Sequence, residues 1–353
     1  MQTKTNLLFR TFVFITLLLT LFACQSEVDA PKPKEKHQAS EHNSGQETKQ
    51  TKLQELTQKL AQDSLSAALY VERAQEYVQQ NSGLKAYLDL QKAVDLEPKN
   101  ELYLLALGNA AFRVNKTRAS KEAWEACLEL NASNVSCRLK LAELFYFVKD
   151  YETCVEFCNQ VLSINPEKPS AELYKGLSFM ETGDTTKAIR SLQKAIEIEP
   201  DFTKAMGVLA ELYASQNDPL ALDYYNLMLT KDSTRTDVLF NKAYYYQQTN
   251  QFDLAMTFYE QAYAINPSFL GLNYNIGYLY SLKKDYDKAI EFFTKGLDSH
   301  ANNSNHSSKN YFARAYMYEL LGNIGKAESD YKSTLMLNPK YSPAQEALNR
   351  IKK

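Results

Sequence analysis

The chemistry open to this 353-residue chain is concentrated in its five cysteines. Cys24 closes an apolar N-terminal run, while Cys127, Cys137, Cys154 and Cys158 lie together nearer the middle. Thiols so grouped can bridge in an oxidising compartment, ligate a metal, or pack as small apolar side chains. A metal is not predicted, because His37, His42, His300 and His306 are remote in sequence and the cysteine spacing fits no zinc motif. Catalysis is not predicted either. The chain has no glycine-rich phosphate loop, no His-Glu-x-x-His and no Gly-x-Ser-x-Gly, and paired acids such as Glu197 and Glu199 are what a solvated helix face carries. No cofactor is expected, and a net charge of -2 gives no electrostatic field for nucleic acid.

Lys4 and Arg10 flank the start of an apolar run, Thr11 to Phe22, in the layout of a secretory signal peptide and too short to remain as a membrane-spanning helix. Leu21-Phe22-Ala23-Cys24 resembles the lipobox of bacterial lipoproteins, with Phe22 a departure at its second place. The resemblance implies removal of residues 1–23 and lipidation of Cys24, giving a cell-envelope protein held by several acyl chains. Gln25 after the cysteine, rather than Asp, implies the outer membrane, on its periplasmic or surface face. The alternative is an ordinary signal peptide with an incidental cysteine, which leaves the mature chain exported but soluble. Residues 24–52 are rich in Lys, Glu, Gln and Ser with few apolar side chains, so they read as a disordered tether averaging about 30 Å end to end, with His37 and His42 solvated.

What positions the remaining residues is a repeat. The segments Asp95-Leu96-Glu97-Pro98, Ser163-Ile164-Asn165-Pro166, Glu197-Ile198-Glu199-Pro200, Ala264-Ile265-Asn266-Pro267 and Met336-Leu337-Asn338-Pro339 fall on a period of about 34 residues. In that register the eighth position is small (Ala74, Gly108, Ala142, Gly176, Ala210, Ala243, Gly277, Ala315), and the twenty-fourth is usually large (Leu90, Trp124, Leu192, Tyr225, Tyr259, Phe293, Tyr331). Small beside large is how antiparallel helices interlock. This pattern resembles the tetratricopeptide repeat (TPR), and Asn273 to Gly277 with Asp285 to Ile290 stand near its consensus. The resemblance implies an all-α superhelical solenoid of about eight helix-turn-helix repeats over 67–341, divided as 67–100, 101–134, 135–168, 169–202, 203–235, 236–269, 270–303 and 308–341. Repeat five is one residue short around Gln216 to Pro219, and Ser304 to Ser307 read as an inserted polar loop. Leu53, Leu56 and Leu60 mark a capping helix within 53–66, and Ser342-Pro343 opens another over 342–353.

The four central cysteines take core-type places in this register. They read as free buried thiols, with Cys127 to Cys137 across an inter-repeat turn and Cys154 to Cys158 along one helical turn as the candidate bridges. The resemblance places the first helix of each repeat on the concave side. Repeats six to eight then present Phe240, Asn241, Tyr244 and Gln247, next Tyr274, Asn275, Tyr278 and Ser281, and finally Phe312, Tyr316 and Glu319. Aromatic rings interleaved with amides suit an extended peptide, the rings supplying contact area and the amides bonding its backbone. The implied partner is a protein or peptide in an envelope secretion or assembly apparatus. A lipoprotein capturing glycan or peptide for uptake is the alternative.

Overall fold

The computed structural model describes residues 41–299 and 303–352, so the predicted signal peptide, Cys24 and the start of the tether lie outside the described residues. Eighteen α-helices and no strand occur among the described residues. None of these helices is long and apolar enough to cross a membrane. The chain divides into two compact units at Leu96/Glu97.

The first unit holds α1 (Glu41–Gln62), α2 (Ala67–Gln79) and α3 (Gly83–Leu96). Leu56 and Leu60 are buried where α1 meets α2, and Lys52 pairs with Glu76 across the same contact. The helix predicted from Leu53 begins instead at Glu41, which corrects the tether reading for residues 41–52. Once a packed apolar stripe has nucleated a helix, each added residue costs little, and the Gln, Glu and Lys of this stretch are good helix formers.

The second unit stacks helix hairpins. They are α4 (Glu101–Arg113) with α5 (Thr117–Leu130), α6 (Val135–Phe147) with α7 (Tyr151–Ile164), and α8 (Pro169–Glu181) with α9 (Thr185–Ile198). Then follow α10 (Thr203–Ser215) with α11 (Leu220–Lys231), α12 (Thr236–Gln248) with α13 (Phe252–Ile265), α14 (Leu272–Leu282) with α15 (Tyr286–Ser299), and α16 (Ser304–Leu320) with α17 (Ile324–Leu337). Helix α18 (Ser342–Ile351) packs on α17 and buries Ala344, Ala347 and Leu348. Each hairpin's second helix also packs on the first helix of the next. Within a hairpin the two helices come close enough to need a small eighth residue: a Cβ added at Gly108 would lie 2.3 Å from Trp124 Nε1, and one at Gly277 2.8 Å from Phe293 Cε1.

One backbone feature recurs in every hairpin. The turn between its two helices passes through a left-handed residue: Asn81, Asn115, Lys149, Gly183, Asn217, Asn250, Lys284 and Gly322 all have positive φ. The next residue's N–H bonds the carbonyl five residues back, as Asp285 does to Tyr280 at 3.0 Å and Asn323 to Tyr318 at 2.8 Å. This satisfies carbonyls that the helix end leaves unpaired. Asn and Gly tolerate that geometry, whereas a lysine Cβ is strained in it. Lys284→Gly is therefore expected to stabilise the second unit by about 0.5–1 kcal/mol, read as a raised urea midpoint at unchanged slope. A lowered midpoint would count against turn strain at this position.

Ser304 to Ser307, predicted as a loop, form the first turn of α16, and His306 is helical. The Asn303 side chain caps them, accepting from the His306 N–H at 3.0 Å. An asparagine cap and the adjoining repeat helix suffice to carry a polar stretch into helix.

Candidate functional site

The predicted groove residues come from the first helices of three successive hairpins, α12, α14 and α16. On α12 the Phe240 and Tyr244 rings stack with centroids 6.4 Å apart. Phe240 is held from behind by Tyr259 at 5.5 Å and Phe269 at 5.2 Å. On α14, Tyr274 packs its ring on Phe293 at 5.7 Å. On α16, Phe312 is wedged between Tyr331 at 5.6 Å and Tyr341 at 5.1 Å. Half-buried rings therefore floor the surface, while Tyr278 and Tyr316 remain exposed at 38% and 44%. Burial pushes the Tyr274 phenol up, reinforced by Tyr341 from the loop before α18, Tyr278 from α14 itself and Tyr244 from α12.

The amides are less available than the sequence reading supposed. Gln247 Nε2 donates to Asn275 Oδ1 at 3.2 Å, and Asn275 Nδ2 donates to the Gly271 carbonyl at 2.9 Å. Asn241 Nδ2 donates to Glu211 Oε1 at 3.2 Å. Glu319 is engaged as well: Arg350 of α18 grips both its oxygens, at 2.8 and 2.9 Å, and Tyr331 Oη donates to it at 2.6 Å. The amides thus fix the helices to one another and leave the rings as the open contact area.

Sequence reading missed the hydroxyls at the twenty-fourth position. Tyr225, Tyr259 and Tyr331 lie buried on second helices of their hairpins, and Tyr331 and Tyr259 touch the predicted groove residues Glu319 and Phe240. Tyr331 meets Glu319 directly, while burial and then the charge of Glu211 push the Tyr225 phenol up. Tyr259 is raised by burial and then by Tyr244, and its hydroxyl has no hydrogen-bond partner among the described residues. The signal was legible: these tyrosines stand opposite Ala210, Ala243 and Ala315, whereas the glycines Gly108, Gly176 and Gly277 stand opposite Trp124, Leu192 and Phe293. Glu211 was missed too, although it stands at the ninth place of repeat five, the place that Tyr244, Tyr278 and Tyr316 hold in repeats six to eight. Burial, and next the neighbouring Asp237, push its carboxyl up to about 7, against which the Asn241 hydrogen bond acts.

Of the cysteine alternatives, Cys127 and Cys137 are disulfide-bonded, with Cα atoms 6.5 Å apart. Cys154 and Cys158 are free, fully buried thiols. Their mutual hydrogen bond holds Cys154 low and, together with burial, drives Cys158 up. Among the described residues no group of three or more His, Cys, Asp or Glu side chains is placed to hold a metal.

The family model for the tetratricopeptide repeat matches residues 175–202, 236–269, 270–303 and 308–341. The solved C-terminal part of a TPR repeat-containing protein from Cytophaga hutchinsonii aligns with 69% of this chain and 99% of that one, at 16% identity and TM-score 0.56. Among curated proteins, anaphase-promoting complex subunit 3 of Schizosaccharomyces pombe is 22% identical over 220 residues, 60% of this chain and 32% of that protein. The type IV pilus assembly protein PilF of Pseudomonas aeruginosa is 29% identical over 142 residues, 37% of this chain and 53% of that one. Its solved structure aligns at TM-score 0.50 and 17% identity, over 59% of this chain and 94% of that one. The chain spans about a third of the length of the leading curated relatives it matches.

Proposed function

We propose that this chain, which carries tetratricopeptide repeats, is a membrane-tethered adaptor that holds an extended segment of another envelope protein against the rings of repeats six to eight. Tetratricopeptide repeats serve as protein-interaction scaffolds, and stacked hairpins line up their first helices as a continuous binding face. The observation that carries the reading is the row of rings from Phe240 and Tyr244 through Tyr274 and Tyr278 to Phe312 and Tyr316, on three neighbouring helices. Aromatic side chains give large contact area at small entropic cost, and such residues carry most of the binding energy at interfaces. Attachment through Cys24 rests on the lipobox-like Leu21-Phe22-Ala23-Cys24, and a role in an assembly apparatus is supported by the likeness to a pilus assembly protein. Non-enzymatic action completes this reading.

The test is crosslinking in native cells followed by pull-down, comparing the wild-type chain with Tyr244→Ala/Tyr278→Ala. Loss of about tenfold or more of a crosslinked partner is expected, since each truncation at an aromatic anchor costs about 1–2 kcal/mol. Recovery of the same partners at the same yield would remove the groove assignment. The tether is tested separately: Cys24→Ser should move the chain out of the membrane fraction, and unchanged fractionation would refute lipid anchoring.

A further inference from the structure

We propose that the groove at repeats five and six takes an arginine side chain of the partner, its guanidinium set against the carboxylate of Glu211. The assignment deepens the groove reading above and rests on it.

The chain carries its own precedent in repeat eight. There a groove carboxylate, Glu319, receives the hydroxyl of the buried Tyr331 at 2.6 Å. The pair is completed by the fork of Arg350, Nε to Oε1 at 2.8 Å and Nη2 to Oε2 at 2.9 Å, contributed by the next helix of the stack. Repeat five has a tyrosine at the place of Tyr331, Tyr225, and a carboxylate at Glu211, three places earlier in the first helix than Glu319, with no arginine on it among the described residues. Glu211 lies near the phenol of Tyr225, the residue equivalent to Tyr331, and its only hydrogen bond among the described residues comes from Asn241 Nδ2 at 3.2 Å. Its ion pairs with lysine or arginine number none among the described residues. A half-buried carboxylate with no counter-charge is costly, and a cation brought by a ligand removes that cost.

Two features around Glu211 bear on the cation it takes: negative potential favours any cation, and flat ring faces favour a guanidinium. Asp237 adds negative potential, although its own oxygens are engaged by Arg235. Phe240 and Tyr244 flank Asn241 on α12, offering stacked ring faces on which a planar guanidinium packs. The partner segment is thus read as arginine followed by apolar or aromatic residues that run along Tyr274 and Phe312.

The test uses the full chain and a phage-displayed library of random peptides. Peptides retained by the wild-type chain should be enriched in arginine next to aromatic or aliphatic residues. For a synthetic peptide so selected, replacing arginine by citrulline, which keeps the shape and removes the charge, should weaken binding about tenfold or more. Glu211→Gln should weaken the arginine peptide to the same degree and leave the citrulline peptide unaffected, a coupling that a merely structural role for Glu211 does not produce. Retained peptides without arginine enrichment, or equal binding of the arginine and citrulline forms, overturn the guanidinium assignment and leave the groove standing. Retention of no peptide overturns both.

Discussion

Arg314→Ala is expected to destabilise the C-terminal hairpins by about 3–5 kcal/mol, the range for removing one partner of a buried ion pair. Arg314 bonds both oxygens of Asp330, at 2.7 and 3.0 Å, and bonds Thr294 at 2.9 Å. Its guanidinium also lies over the rings of Tyr311 and Tyr318, at 5.5 and 6.0 Å. The side chain of Asp330 is only 8% exposed, so truncating the arginine leaves a desolvated carboxylate behind. Repeat one contains the same device: Arg73 forks onto Asp89 with both bonds at 2.7 Å, between Tyr70 and Tyr77. Urea unfolding of Arg314→Ala beside the double variant Arg314→Ala/Asp330→Ala separates the causes. The double variant should recover part of the loss, because it removes the stranded charge along with the pair. A single-variant loss under about 1 kcal/mol would show the pair to behave as a surface salt bridge.

The second large effect is pH-dependent and of opposite sign. The Glu211 carboxyl is raised from the ordinary 4.5 to about 7, chiefly by burial and then by Asp237. The folded chain therefore holds this proton more tightly than the unfolded chain. The stability contributed by protonated Glu211 is complete below about pH 4.5 and is lost as pH rises through about 7. Glu211→Gln keeps the neutral form at every pH. It should match wild type near pH 4.5 and exceed it by on the order of 2 kcal/mol at about pH 8, after discounting for the solvent that reaches the groove. Urea midpoints at the two pH values check this, and a difference that does not grow with pH would contradict it. Because the variant is expected to be the more stable protein at neutral pH, weakened peptide binding by it cannot be put down to unfolding.

Much of the fold was legible in the residues. The alternation of Ala or Gly at the eighth position with bulk at the twenty-fourth requires hairpins of close-packed helices, and the structure places those residues face to face, as with Gly108 and Trp124. The prolines ending repeats one, three, four, six and eight and the capping asparagines set helix ends, as Asn100 and Asn134 do by accepting from first-turn N–H groups. Two boundaries were misread, at Glu41 and Ser304. Both stretches are polar and lack apolar periodicity, and both are helical where they run into a helix with a packed stripe.

By itself the sequence determined periodicity: the small eighth and bulky twenty-fourth residues that build the core, and that the cysteines between 127 and 158 sit in buried places. Only the tertiary structure decided how polar atoms pair. It put Cys127 against Cys137, tied Gln247 to Asn275, closed Arg350 onto Glu319 and left Glu211 with a single amide. The reason is physical. Helix period and side-chain volume are local properties that a repeat register records directly, because every hairpin solves the same packing problem. Hydrogen bonds and ion pairs between hairpins depend on distances of a few ångströms between residues some 30 positions apart. Those distances exist only once the helices have stacked.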